Sequence, residues 1–335
     1  MKAMPKPFTL IVCTYMRAEA LLRLLNSVRG QTLYPNEILI IDGSTDDKTD
    51  SVLKENTFEN LKYFKVAEQD RGLTRQRNFG VQKVSHTSEI ICFLDDDVVL
   101  EKDFFKELIS AYDKYSDAVA VGGYITNEVN WEREGGTKTK DNFYFDGWMR
   151  KESSRFRIRQ FFGLQPDRSP GFMPTFSHGR SISFLPPSGK IYPIEMMMGG
   201  VASYKRKVFQ TLKFSEYFEG YGLYEDLDFS FRVAKLGKIY VNTAARLGHY
   251  HEASGRPNAF KYGKMVVRNG WYVWRVKYPS PPFKNRLKWN LTVLLLTALR
   301  STNIFNSPKK QEAFTECAGR FAGLLSLVVN KPKVE

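Results

Sequence analysis

Across the first 125 residues, short apolar runs alternate with stretches of helical period, and this restricts the fold more than any other feature of the chain. "FTLIVC" (8–13), "NEILIID" (36–42), "LKYFKVA" (61–67), "EIICFL" (89–94) and "AVAVGGYI" (118–125) read as strands. Between them, 17–31, 43–56, 73–84 and 101–115 carry apolar residues at helical spacing or Ser, Thr and Asp caps ahead of a helix. Strands joined by helices of this length predict a mostly parallel, doubly wound α/β sheet. Such sheets bind ligands at the carboxyl ends of their strands. Polar clusters fall there: Thr14, Tyr15 and Arg17 after the first strand, Asp42, Ser44 and Asp46 after the second, and Asp95, Asp96 and Asp97 after the fourth.

From 126 to about 192 the periodicity gives way to aromatics, arginines, Gly and Pro, which reads as an irregular folded insertion or a basic, aromatic flap. Order returns with "MMMGGVASYKRKVF" (196–209) and with "YEDLDFSFRVAKLGKIYV" (224–241), a helix running into a strand. The expected organisation is a first half over 1–125, a second half over 126–255 holding the 126–192 insertion, and a helical region over 256–335.

The formal charge of +14 calls for an anionic partner: nucleic acid, acidic membrane or phosphorylated substrate. No groove-reading motif is present, so nucleic acid is set aside. The three cysteines, Cys13, Cys92 and Cys317, are odd in number, far apart and without paired metal spacing, as in a reducing cytoplasmic compartment. No secretory signal is visible, and no run reaches the roughly 18 apolar residues of a spanning helix. Trp271, Tyr272 and Trp274 beside Arg268, Arg275 and Lys277 suit a bilayer–water interface, as does "LTVLLLTAL" (291–299) beside Lys284, Arg286 and Lys288. With the charge, this predicts peripheral attachment to the anionic inner face of the plasma membrane. Packing of amphipathic helices within the protein is the alternative, and the same helices suit a homodimer.

The run "ICFLDDDVVL" (91–100) ends a buried strand on three carboxylates. Alternate strand side chains share a face, so Asp95 and Asp97 point together and Asp96 points away. Two such oxygen ligands suit Mg²⁺ or Mn²⁺; a solvated acidic turn is the plain alternative. The same D-x-D also resembles the nucleophile loop of haloacid dehalogenase-like phosphatases, in which Asp95 would attack phosphorus.

Three further segments separate these readings: "VCTYMR" (12–17), "IIDGSTDDKT" (40–49) and "RQRNFG" (75–80), which precedes the aspartate triplet. Together they resemble the nucleotide-sugar half of a family 2 glycosyltransferase, with its T-Y-N-R-like turn, D-x-S-x-D-x-T, A-R-N-x-G and D-x-D in order. The phosphatase explains only the last of these. The resemblance implies a GT-A fold: a doubly wound mixed sheet, Rossmann-like in its nucleotide half, followed by an acceptor half and a C-terminal helical extension. It implies that Thr14, Tyr15 and Arg17 line the base pocket, that Asp42 accepts a hydrogen bond from the base, that Ser44 belongs to the donor site, and that Met16 replaces the usual Asn; capping of the following helix is the plain alternative for Asp42 and Ser44. Ile41 stands where the commoner form has a first Asp. Arg77, Asn78, Asp95 and Asp96 would serve the donor, and Asp95 and Asp97 a divalent cation, with a histidine after the E-D helix: His251 first, His249 close behind. Gly199 and Gly200 fall in the acceptor-side segment. Asp226 would be the general base of an inverting transfer, Glu225 its nearest competitor. The donor would be a nucleotide-diphosphate sugar, UDP before GDP or dTDP, and the acceptor a hydroxyl of a surface glycan or lipid-linked glycan. A non-catalytic scaffold of the same fold would bind donor without turnover.

Overall fold

Parallel pairing between the first strands of the chain sets the geometry of everything that follows. The computed structural model describes residues 5–218, 220–251, 257–306 and 308–334. The chain forms two compact units, Met1–Asn130 with Leu185–Gly255, and Trp131–Phe184 with Arg256–Glu335. The first unit begins β1 (Phe8–Thr14), α1 (Ala18–Arg29), β2 (Glu37–Asp42), α2 (Lys48–Glu55), β3 (Leu61–Lys65), α3 (Leu73–Lys83), β4 (Ile90–Asp95), β5 (Val98–Leu100), α4 (Phe104–Lys114) and β6 (Ala118–Ile125). The second unit supplies β7 (Glu132–Arg133), β8 (Asn142–Phe145), β9 (Trp148–Lys151) and α5 (Ser154–Phe161). The first resumes with β10 (Ile191–Ile194), β11 (Val201–Lys205), α6 (Glu225–Val233) and β12 (Lys238–His249). The second closes with α7 (Ala259–Lys277), α8 (Phe283–Ser301), α9 (Asn303–Asn306) and α10 (Lys310–Val329).

In the first unit nine strands form one sheet in the order β10-β12-β6-β11-β4-β1-β2-β3, with β5 against β12. β1 pairs in parallel with both β2 and β4, and β3 with β2, as the strand–helix alternation requires. Alternation alone predicts a mostly parallel sheet, yet β5, β10 and β11 run antiparallel to their neighbours. β11 starts beside the end of β4, so it can only run back along it. β2 is buried along its whole length, which is why it reads as an unbroken apolar run. α1 covers the sheet with Ala20, Leu21, Leu24, Leu25 and Val28, and α4 with Phe104, Phe105, Leu108, Ile109 and Tyr112, each a single helical face. Gly80 lets α3 lie close on the sheet, since a Cβ there would come within 2.9 Å of Ile11 Cγ2.

The second unit takes up the aperiodic 131–184 segment and folds it. β9 lies between β7 and β8, and Arg180 rests on the rings of Phe143 and Phe156 at 4.7 and 4.5 Å while pairing with Glu152 at 2.6 Å. α7 and α10 pack at backbone contact, because side chains at Gly263 or Gly319 would overlap the facing main chain. Tyr272 and Trp274 are buried; Trp274 stacks on Trp289 at 5.7 Å and donates to the Thr175 carbonyl at 3.1 Å. These two aromatics therefore do not stand at a bilayer interface. Their rings close the core of this unit. Among the described residues, no helix is long and apolar enough to cross a membrane.

One buried carboxylate ties three strands and a loop of the first unit. Glu37 accepts from Thr9 Oγ1 at 2.9 Å, the Ser85 amide at 3.0 Å and Lys62 Nζ at 2.8 Å. Burial pushes its carboxyl up, but the bonds from Lys62, Ser85 and Thr9 outweigh burial and hold it below the ordinary value of 4.5. A depressed folded value means that the ionised form stabilises the fold above the unfolded value and that this stability is lost on acidification. Glu37→Gln should cost about 2 kcal/mol at neutral pH, and the gap from wild type should close as pH falls below 4.5. Denaturant unfolding from neutral to acid pH measures both; a gap independent of pH would contradict the assignment.

Candidate active site

Register brings the polar strand ends together. Thr14 lies opposite Asp42 across β1 and β2, and Cys13 opposite Asp95 across β1 and β4. β12 pairs with β5 so that His249 faces Val98, one residue past the triplet. β11 begins with Val201 against Leu94, which sets the Gly199–Gly200 turn at the tip of β4.

Each aspartate of the triplet meets a basic group. Asp96, buried, accepts from Thr14 Oγ1 at 2.7 Å and Arg17 at 3.1 Å, and Arg17 lies 3.5 Å from Asp97. Burial pushes Asp96 up to about 6, with Thr14 and Arg17 pulling the other way. Arg77, only 3% exposed on α3, pairs with Glu225 at 2.5 Å and stands 3.6 Å from Asp95, against the rings of Phe93 and Phe214. His249 Nε2 lies 3.2 Å from Asp97 Oδ1, and its Nδ1 lies 2.9 Å from Glu128 Oε1. Burial disfavours charge on His249, but hydrogen bonds to Asp97 and Glu128 prevail and push it up to about 10.

The residues present fit a divalent cation. Ligand atoms of Asp95, Asp97 and His249 all lie within 4.8 Å of one another. Two hard carboxylate oxygens with one imidazole nitrogen suit Mn²⁺, and the oxygens alone suit Mg²⁺. Gly200 keeps the place clear, since a Cβ there would overlap the Asp95 carboxylate. The structure brings His249, not His251, to the aspartates. His251 is more exposed and reaches Glu128 at 3.3 Å, in a second group of Glu128, His249 and His251.

α6 opens beside this cluster. Tyr224, at φ 70°, turns the chain into the helix, whose first turn carries Glu225 and Asp226. Negative charge is favoured there by the helix dipole. Asp226 accepts from the Leu227 amide at 2.8 Å and the Gly199 amide at 3.4 Å, and burial raises its carboxyl above the ordinary value. Glu225 is also raised by burial, against the pull of Arg77, and its Oε1 is held by that guanidinium. Gly199 has no room for a side chain either: a Cβ would lie 2.7 Å from Glu225 Oε1.

On the other flank, Asp42 is completely buried, accepting from the Ser44 amide at 2.8 Å and the Tyr63 hydroxyl at 2.9 Å. In this conformation it shapes the turn. Ser44 Oγ accepts from the Met16 amide at 2.8 Å, and Gln76 donates to the Thr14 and Ile41 carbonyls at 3.1 and 2.8 Å, joining the two strand ends. Asn78 exchanges two 2.9 Å hydrogen bonds with the Phe214 main chain. Tyr15 is 48% exposed, and a groove beside it runs between residues 16–20 and 46–55. Glu128, Tyr63 and Gln76 escaped the sequence reading. Glu128 carried one usable signal: it follows the end of β6, another strand tip in the same sheet.

Residues 9–178 match the family described as glycosyl transferase family 2. The chain belongs to that family. Over 119 residues this glycosyltransferase-family chain is 29% identical to the glucosyl-dolichyl phosphate glucuronosyltransferase of Haloferax volcanii, covering 35% of the chain and 37% of that protein. Over 101 residues it is 28% identical to the O-antigen chain rhamnosyltransferase RfbN of Salmonella typhimurium, covering 30% and 32%. The matched stretch thus spans about a third of these curated relatives. Among solved structures, S. aureus TarS aligns with TM-score 0.50 and 17% identity over 91% of this chain and 46% of that one. GalNAc-T7 with UDP, GalNAc and Mn²⁺ aligns with TM-score 0.50 and 17% identity over 81% and 50%. The fold is GT-A. The phosphatase reading of the D-x-D triplet gains no support.

The turn after β1 carries a local strain. Met16 sits at φ 58°, a left-handed conformation that costs most side chains about 1–2 kcal/mol and that Asn tolerates. Met16→Asn should therefore raise stability by about 1 kcal/mol, seen as a higher thermal midpoint. An unchanged or lower midpoint would show that the turn is not strained.

Proposed function

We propose that the protein is a metal-dependent, inverting glycosyltransferase that moves a sugar from a nucleotide-diphosphate donor to a hydroxyl of a glycan or lipid-linked acceptor. The observation carrying this reading is the convergence, at one end of the sheet, of Asp95, Asp97 and His249 with buried Glu225 and half-buried Asp226 in the first turn of α6.

The donor's nucleoside would lie over the turns after β1 and β2, with Tyr15 and Arg17 at its face and Asp42 and Ser44 holding the turn. UDP is the favoured donor nucleotide, with GDP and dTDP next. A divalent cation held by Asp95, Asp97 and His249 would supply positive charge to the leaving diphosphate. Arg77 fixes the Asp95 and Glu225 side of the site. Asp226 takes the proton from the acceptor hydroxyl as its oxygen attacks the anomeric carbon, and the diphosphate departs from the opposite face. Burial raises both carboxyls, and Asp226 is preferred because Glu225 Oε1 is engaged by the Arg77 guanidinium at 2.5 Å, whereas the hydrogen bonds to the Asp226 carboxylate come from the Gly199 and Leu227 amides. The names of the two curated relatives, one acting on a glucosyl-dolichyl phosphate and one on an O-antigen chain, support a lipid-linked or polysaccharide acceptor. The free thiols of Cys13, Cys92 and Cys317 fit a cytoplasmic site of action, at the inner face of the membrane.

The test uses nucleoside-diphosphate release from UDP-, GDP- and dTDP-sugars with cell-envelope extract as acceptor. Asp226→Asn should lower kcat at least about 100-fold with donor affinity unchanged. Glu225→Gln should instead lower the thermal midpoint, because it takes from buried Arg77 the nearer of its two carboxylates and leaves only Asp95, 3.6 Å away. Full turnover in Asp226→Asn would remove it as the base, and no release by the wild type with any donor would count for the scaffold.

A further inference from the structure

The positive charge is not spread over the chain. Of its 50 Lys and Arg, 25 lie in each unit, but 27 of the 36 Asp and Glu lie in the first and 9 in the second. The unit holding the aspartate triplet is thus at −2 and the other at +16. In that second unit α8 is apolar on two sides. Trp289 and Val293 face inward, while Phe283, Leu287, Leu291 and Leu294 form an exposed stripe at spacings of four, four and three. α10 repeats the arrangement, with Leu327 buried and Phe314, Phe321, Leu325 and Val328 exposed, the last at 81%. A helix facing only water has a polar outer face, and apolar stripes of this length mark a docking surface.

Charge selects the occupant. α8 carries Lys284, Arg286 and Lys288 beside its stripe and no acidic residue, and Lys331 and Lys333 follow α10. Glu316 of α10 is buried and already paired with Arg300 and Arg320 at 2.7 and 2.8 Å. A two-fold interface would set this +16 unit against its own copy. Nucleic acid matches the charge but leaves the leucines uncovered. We propose that α8 and α10 of the second unit dock on an anionic lipid bilayer, their leucine and phenylalanine stripes entering the interface and the lysines meeting acidic headgroups. This deepens the peripheral location proposed above and does not depend on the transfer reaction.

Flotation of the full chain with vesicles of phosphatidylcholine alone, or mixed with phosphatidylglycerol, tests it. The account predicts binding only to the anionic vesicles, weakening with salt. Leu291→Glu/Leu325→Glu should reduce binding at least about tenfold while keeping the wild-type thermal midpoint, since both side chains are exposed. Lys284→Gln/Lys331→Gln, which disturbs no apolar contact, should weaken binding about fivefold per charge. Equal binding to both vesicles, binding to neither, or a wild-type dimer that Leu291→Glu/Leu325→Glu converts to monomer would overturn the proposal. Nucleoside-diphosphate release on the same preparations separates the two readings. Release without vesicle binding removes only the docking surface, and binding without release supports docking while counting against the transferase.

Discussion

Three adjacent carboxylates at the tip of a buried strand repel one another, and the first unit is arranged around making that tolerable. Two like charges about 4 Å apart cost about 4 kcal/mol each pair at the effective dielectric of a protein surface. The relief comes from different elements: Arg17 from the turn after β1, Arg77 from α3 and His249 from the end of β12. None of these groups neutralises the cluster fully. Arg77 is shared with Glu225, and His249 with Glu128. The result is a site with an excess of oxygen donors held at fixed positions, which is the electrostatic condition for holding a small cation together with a diphosphate.

The sheet makes this possible by register. Parallel pairing of β1 with β2 and β4 puts three polar strand ends at one level, and antiparallel β11 returns its starting turn to the same level. Two glycines then complete the site. At Gly199 and Gly200 a side chain would collide with Glu225 or with Asp95, so the turn and the two acidic clusters pack at main-chain distance. α6 joins the site through this turn, because the Gly199 amide donates to Asp226.

The strand–helix alternation, the positions of the strand ends and the candidate acids were legible in the sequence because each rests on local pattern: period, caps and short motifs. β1, α3, β4 and β6 lie within a residue or two of where their apolar runs place them. What depends on long-range pairing was not legible. That His249 rather than His251 lies beside Asp97 follows from the pairing of β12 with β5, which no spacing reveals. Glu128 joins the site only because β6 and β12 run side by side. Tyr272 and Trp274 looked like interface aromatics because amphipathic composition is the same whether a helix faces lipid or a neighbouring helix, and only Trp289 and Thr175 decide it. The exposed stripe of α8, by contrast, keeps the character its sequence shows.

The proposed function requires the triplet to bind a nucleotide-diphosphate sugar through a divalent cation. The most direct measurement is the thermal midpoint of the wild type and of Asp97→Ala against UDP-, GDP- and dTDP-sugars, each with and without Mn²⁺. A ligand that binds only the folded state raises the midpoint in proportion to its affinity. The account predicts a rise with one nucleotide class, dependent on Mn²⁺ and absent in Asp97→Ala. A rise that persists without the metal and in Asp97→Ala, or no rise with any donor, would contradict it.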